Sequence, residues 1–412
     1  MKILLRSLAA LGLLFAIEAQ AHGPSVSRYR VDEVHAPDSL NAGCLDGFAA
    51  GASIRRINDF GVVNGNFTCY TQVDPITSTF QARNAPFVAA AWFGALELPR
   101  PPAPGSAFGA SINNRGEIFG FESVENGIAG TRWTLAGGHE HFFFDPACDF
   151  IQVSTAADGN GRYVVGSGLR ADSRLPPPLD TFCLRQTWLI RDSNGVETTG
   201  PLDGAPAAIN SFSVAVGTSD RSAIRYHVPT AQVRMLHAAD ATHSAEASDI
   251  NDFGEVVGRI SVNTSSPGFV NQCNPGVAVR WERDGREILL PHPPGAVASR
   301  AFGLGHEGET VGDSGAGTYC QVTDGSGERA ALWLSGRAFD LNTLIPRSAG
   351  ITLTYAISVN RRGQISAGGF DNSEPLTQCP RVVTDPAGGP PTFRVVPCHN
   401  NHMFVLTPVG NH

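Results

Sequence analysis

The sequence predicts an all-β fold, a seven-bladed β-propeller of four-stranded blades, and three observations point to it. A hairpin motif recurs seven times at intervals of about 50 residues, an aromatic-ended strand follows most copies, and the last unit lacks a fourth strand while one strand at the start of the chain has no unit. The motif is clearest at Ile250-Asn251-Asp252-Phe253-Gly254-Glu255-Val256-Val257-Gly258. It returns at Ile57 to Gly65, Ile112 to Gly120 and Ala157 to Gly166, and more loosely at Ile209 to Gly217, Leu304 to Gly312 and Val359 to Ile365. An Asn or Asp at a tight turn bonds nearby backbone and a glycine accepts positive φ, so each copy reads as the first two antiparallel strands of a unit.

The third strand of the first six units ends in an aromatic: Ala89 to Trp92, Thr131 to Trp133, Arg185 to Trp188, Ala223 to Tyr226, Ala278 to Trp281 and Ala330 to Trp333. On this reading all five tryptophans share one repeat position. A fourth strand follows at Ala95 to Leu98, Glu140 to Phe144, Gln232 to Leu236, Glu287 to Leu290 and Ala338 to Leu341. The last unit has a third strand at Met403 to Leu406 but no fourth, while Tyr29 to Val34 precedes the first motif with no unit of its own. Pairing these leftovers would close the ring and remove both sheet edges.

Residues 1–21 read as a signal peptide. Lys2 and Arg6 precede an apolar stretch from Ser7 to Ile17, and Ala19-Gln20-Ala21 forms a small-residue cleavage site. Residues 22–412 are then one propeller domain, secreted or periplasmic, with His22 at its start. No later apolar run is long enough to cross a bilayer, so no membrane insertion is expected after cleavage. A monomer is expected. The net charge of −8 and the pI near 5.8 argue against a nucleic-acid partner.

Eight cysteines follow the signal, an even number that suits disulfides in an exported chain, and none forms a C-x-x-C pair. Cys69, Cys273, Cys320, Cys379 and Cys398 fall between second and third strands, with Cys183 at the end of such a loop. Cys44 and Cys148 fall between units, so all eight map to one face. The expected pairs are Cys44–Cys69, Cys148–Cys183, Cys273–Cys320 and Cys379–Cys398, one of 105 arrangements.

Candidate chemistry is sparse. His139 and His141 share one side of a strand as half a metal site, but without a third partner they read as solvent-facing. His399 and His402 could meet His306 or Glu307, and a free His22 terminus could chelate copper only with a second histidine. Glu117, Glu255 and Glu309 occupy the same place after the motif glycine, which argues for a hairpin role over a unique acid or base. The Asp252, Glu255 spacing is wrong for a calcium loop, and no G-x-S-x-G, H-E-x-x-H or phosphate-cradling loop occurs. No cofactor and no metal are expected. Two classes of function remain: a non-enzymatic module whose stapled loop face binds protein or glycan, or a carbohydrate-active or other hydrolytic propeller with its site at the channel mouth.

At the motif residues the chain resembles the bacterial extracellular HAF-repeat family. Ile250 to Gly258, followed by Ala278 to Trp281, matches that family's hairpin and apolar-aromatic strand. Asp340 to Pro346, the motif at Asn360 and Met403 to Pro408 look like the end of such proteins, with His402-Met403-Phe404 standing nearest to His-Ala-Phe. The resemblance covers nearly the whole mature chain. It implies export and a propeller-like array, with no defined activity and therefore no functional residues to carry over.

Overall fold

A computed structural model describes residues 28–410 except 47, 49, 75–78, 103–104, 126, 143–151, 172–182, 238–239, 241, 263–275, 316–326 and 384–391. The expected signal peptide, His22, Cys148, Cys273 and Cys320 lie outside the described residues, and with them two of the expected disulfides. Within those limits the chain is a seven-bladed β-propeller of four-stranded antiparallel blades.

Blade 1 consists of Ala50–Ile57, Val63–Asp74, Thr79–Ala90 and Gly94–Glu97, and blade 2 of Ala107–Ile112, Glu117–Val124, Gly127–Thr134 and His139–Phe142. Blade 3 consists of Gln152–Gly159, Tyr163–Ala171, Cys183–Asp192 and Glu197–Asp203, and blade 4 of Ala205–Ile209, Val214–Ser219, Ser222–His227 and Gln232–His237. Blade 5 runs through His243–Ile250, Val256–Val262, Gly276–Trp281 and Glu287–Leu289. Blade 6 runs through Ala298–Leu304, Thr310–Gly315, Glu328–Leu334 and Arg337–Asp340. Blade 7 takes Ile351–Val359, Ile365–Asp371 and His402–Val409 from the end of the chain and Arg28–Val34 from its beginning. That last pairing is continuous, from Arg28 opposite Val409 to Val34 opposite Met403, so the expected closure holds.

The motif has a structural reason at each position. The seven turn residues hold positive φ, from 62° at Ser213 to 88° at Gly308. Ser213 is the one without glycine, and its hydroxyl accepts a bond from Asn160 Nδ2 at 3.2 Å. Opposite the closing glycine, the first strand carries a bulge, as between Gly109 and Ser111 or Ala247 and Asp249. The bulged backbone comes so close that a Cβ on Gly120 or Gly258 would sit 1.8 or 1.9 Å from a carbonyl oxygen. Only glycine fits there.

The motif asparagine does two jobs. Its Oδ1 accepts bonds from its own turn, as Asn251 does from Phe253 N and Glu255 N at 3.1 Å each. Its Nδ2 donates to a turn carbonyl of the next blade. Asn58 reaches Asn113 O (3.2 Å), Asn113 reaches Gly159 O (2.9 Å), Asn160 reaches Asn210 O (2.8 Å) and Asn210 reaches Asn251 O (3.1 Å). Asn251 reaches Gly305 O (3.3 Å), and Asn360 reaches Asn58 O (2.9 Å) across the closure. Blade 6 has Gly305 where the others have asparagine. There Glu309 caps the turn, accepting from Glu307 N at 3.1 Å, but a carboxylate cannot donate onward.

Buried apolar clusters fill each gap between blades, and the tryptophans show how. Trp133, Trp281 and Trp333 face the preceding blade at one repeat position, opposite Ile118, Val256 and Thr310. Trp188 does not share it. It lies opposite Ser167, so pleating turns it the other way, into the gap with blade 4, where it meets Tyr226 edge-on at 6.1 Å. Trp92 lies beyond the end of its strand and is 67% exposed, because Ala89 takes the repeat position in blade 1 and Phe67, Phe87 and Met403 fill that gap. The expectation of one position for all five tryptophans is therefore corrected to three.

The seam of blade 7 carries a clasp. His402 on the third strand contacts Glu33 on the fourth at 2.7 Å and Glu374 at 3.0 Å. Burial opposes its charge, but the two carboxylates outweigh it and hold its pKa above the usual 6.5. A raised histidine pKa stabilises the fold fully below 6.5 and ceases to as pH climbs through the raised value. We therefore expect His402→Gln to lower the melting temperature at pH 5 and to have little effect at pH 9, measured by calorimetry across that range. Asn210→Asp should keep its own turn cap but lose the bond to blade 5, destabilising by about 1–3 kcal/mol. Gly305→Asn should raise the melting temperature by supplying the missing donor, provided the Glu309 carboxylate swings aside.

Candidate functional site

The channel is lined by the residue two places before the motif asparagine, which the bulge turns inward. Around the ring this position holds Arg56, Ser111, Asp158, Ala208, Asp249, Gly303 and Ser358, of which Arg56, Asp158, Asp249 and Ser358 join the turns in lining a cavity of about 280 Å³ at the turn face. Only three members are charged. Arg56 crosses the channel from blade 1 to bond Asp249 of blade 5 at 2.8 Å, with Asp249 8% exposed. Asp249 Oδ2 also accepts from Leu304 N at 2.9 Å.

Asp158 is more deeply committed. It accepts from Ser111 Oγ (3.0 Å), Gly159 N (2.8 Å) and Ile209 N (3.1 Å). Burial pushes its pKa up, and the Arg56 charge together with these donors pulls it back. Above them Arg361 spans the mouth, meeting Asp252 at 3.0 Å and Asp59 at 3.5 Å. The two channel carboxylates are thus held by an arginine and by blade-to-blade backbone bonds.

Glu117, Glu255 and Glu309 take the hairpin role that their repeated position predicts. Glu117 and Glu255 accept from their motif asparagines at 2.9 and 2.8 Å and pair with Arg132 and Arg280. Asp158 and Asp249 were missed. The signal was present: aligned on the asparagine, their position is otherwise small except at Arg56.

The loop face is built differently from the expectation of stapled loops. Cys44–Cys69 and Cys379–Cys398 are both formed, with Cα separations of 5.5 and 5.9 Å, closing 25 and 19 residues and each contributing on the order of 3 kcal/mol. Yet Cys69 lies inside the second strand of blade 1, which runs on past the motif, and Cys379 and Cys398 face each other's strands in an added hairpin. That hairpin, Thr377–Val383 with Thr392–Cys398, is inserted between the second and third strands of blade 7. In blade 1 the second and third strands continue their ladder as far as Asp74 and Thr79, and in blade 7 the insertion pairs with itself as a separate two-stranded sheet, so in both the backbone is satisfied by strand pairing. Phe48 bridges to Gln378, and Asn401 bonds Ala52 O at 2.6 Å and Tyr355 Oη at 3.0 Å. Blades 7 and 1 therefore share one braced platform. Cys183 opens the third strand of blade 3.

The histidines do not converge as imagined. His399 stacks on Phe370 with ring centres 3.9 Å apart, His402 is in the seam clasp, and His306 sits against Phe253 at the turn face. His139 and His141 keep the solvent access expected of them, with imidazoles 30% and 31% exposed, but both also contact Glu122, a third partner the sequence gave no spacing for. On the turn face, Phe60, Phe212 and Phe253 are 58, 65 and 54% exposed, and an open groove of about 850 Å³ beside the latter two carries Arg225, Arg234 and Arg283. Burial and the two neighbouring arginines lower the Arg225 pKa.

No protein-family model and no curated protein matches the chain. Among solved structures it is similar to an inactive virginiamycin B lyase from Staphylococcus aureus at 11% identity, TM-score 0.46, over 92% of this chain and 100% of that one. It is similar to an oligogalacturonate lyase from Vibrio parahaemolyticus at 11% identity, TM-score 0.49, over 92% and 97%. An acylaminoacyl peptidase from Pyrococcus horikoshii matches at 8% identity, TM-score 0.47, over 81% of this chain and 56% of that one. At such identities these likenesses say nothing about reaction or ligand. Among the described residues no helix is long and apolar enough to cross a membrane.

Arg56→Met should leave Asp249 and Asp158 facing each other without their shared cation. We expect a loss of about 3 kcal/mol in denaturant unfolding, at the low end for a broken buried pair because Arg56 is 20% exposed. Adding Asp249→Asn should recover part of it.

Proposed function

We propose that this is an exported, non-enzymatic binding propeller that uses its braced loop face to hold a protein or glycan. The observation that carries the reading is the commitment of the channel carboxylates. Asp158 and Asp249 are each engaged by backbone amides and placed beside Arg56, so neither is poised to take or give a proton to a substrate. Among the described residues the platform at the seam of blades 7 and 1 is the most elaborated surface, with two disulfides and an added hairpin giving it a rigid shape suited to recognition. The two disulfides fit an oxidising compartment, and the charged start and cleavage motif within residues 1–21 support export. The hairpin-plus-aromatic repeat supports membership of the HAF-repeat group.

One observation favours a second surface. Exposed Phe212 and Phe253 flank crowded arginines on the turn face, a combination that suits a uronate-containing glycan through stacking and charge.

A glycan array of neutral and acidic polysaccharides tests both surfaces. Residues 375–399 can be replaced by a short turn because Gly369 and His402 are paired neighbours. We expect that replacement to lower binding at least about tenfold, the effect of one or two lost anchor residues. Loss confined to Phe212→Ala and Phe253→Ala would move the site to the turn face. Turnover of any array glycan that disappears in Asp158→Asn or Asp249→Asn would overturn the binding reading in favour of a channel enzyme.

A further inference from the structure

Blade 2 holds a cluster that neither the propeller scaffold nor the binding reading requires. His139 and His141 alternate along the fourth strand, so both project from the same side of the sheet. Register places them opposite Trp133 and Thr131 of the third strand, and Glu122 of the second strand lies opposite Ala129. All of these side chains therefore share the face that looks toward blade 1. The intervening strand offers only small groups there, Ala129 and Thr131, whose hydroxyl is turned back to Ala129 O at 3.1 Å. Glu122 reaches over that low ground to the fourth strand.

The carboxylate is 5% exposed, with Oε2 2.8 Å from His139 Nε2 and Oε1 2.7 Å from His141 Nε2. One donor atom from each residue falls within 4.8 Å of the others. The arrangement is braced: the Trp133 indole, tied by Nε1 to Pro99 O at 2.8 Å, lies parallel to His139 at 5.9 Å, and the two imidazoles meet edge to face at 4.9 Å. Burying a carboxylate without a compensating positive charge is costly. On the other side of the same blade, Glu117 and Glu140 are matched by Arg132 and Arg191. Among the described residues no arginine or lysine is paired with Glu122; two imidazole nitrogens take that place.

We propose that Glu122, His139 and His141 form a divalent-metal site of the zinc class. Two imidazole nitrogens and one carboxylate oxygen are the donor set that Zn²⁺ accepts, whereas calcium and magnesium call for oxygen-rich shells. The ion would neutralise the buried carboxylate. The partial exposure of both imidazoles leaves a fourth position to water or to a ligand's oxygen. Sequence spacing offered only half of this set, because Glu122 is brought in by strand pairing.

The test uses the full chain after treatment with EDTA. Zn²⁺ is titrated against a chromophoric chelator, and Co²⁺ is added separately to read the visible absorption of a four-coordinate site. We expect one equivalent of Zn²⁺ to bind and raise the melting temperature. Binding should weaken by more than roughly 100-fold in His139→Gln/His141→Gln, the loss of direct ligands exceeding that of outer partners. Glu122→Gln, which preserves shape and can still hydrogen-bond the imidazoles, should fold with an unchanged far-ultraviolet spectrum yet lose the Zn²⁺-dependent rise and the Co²⁺ bands. His402→Gln should retain all of them. Wild-type protein that binds Zn²⁺ no better than the double variant, or a Glu122→Gln protein that keeps the full rise, would overturn the proposal and leave a carboxylate held between two imidazoles.

Discussion

The fold rests on the hydrogen bond that each motif asparagine donates to the turn of the next blade. An asparagine side chain carries an acceptor and a donor on one planar group, so it can close its own turn and hold a neighbour in the same act. Asn360 donating to Asn58 O shows that the ring uses this bond at its closure as well as along the chain. Aspartate could serve the local turn and glycine could occupy it, but neither has a side-chain donor for the next blade. Gly305 illustrates the limit, because Glu309 replaces the cap there while the onward bond is lost.

The bulge that brings each closing glycine under its first strand also decides what the channel contains. It turns one side chain inward in every blade but the sixth, which has Gly303 there, and the ring accepts charge only as a set, with Arg56 bonded to Asp249 and near the Asp158 charge. Such groups hold blades together across the axis, at the expense of chemistry they could otherwise perform. On the proposed binding reading, recognition falls to the two rims. The loop rim is shaped by continued β-ladders and disulfides, and the turn rim by exposed phenylalanines beside arginines.

The blade interfaces show where repetition stops being a guide. Trp133, Trp281 and Trp333 obey it, each facing backward into the preceding gap. The gap between blades 3 and 4 instead receives Trp188 from one side and Tyr226 from the other. A single-residue change of register reverses a side chain in a strand, and nothing in a list of aromatic-ended segments reveals it. Trp92 makes the same point, since the strand before it ends at Ala90.

The sequence by itself determined the number of units, the hairpin at the heart of each, and the closure by Tyr29 to Val34, because these follow from local patterns of glycine, asparagine and alternating apolar residues. It also supplied the Cys44–Cys69 and Cys379–Cys398 pairs, whose members are near in the chain and on one face. Only the tertiary structure decided which charges share the channel, which aromatics fill which gap, and that Glu122 stands between His139 and His141. Those contacts join residues 15 or more positions apart or on different blades. They depend on strand register and ring geometry, quantities that a linear spacing does not contain.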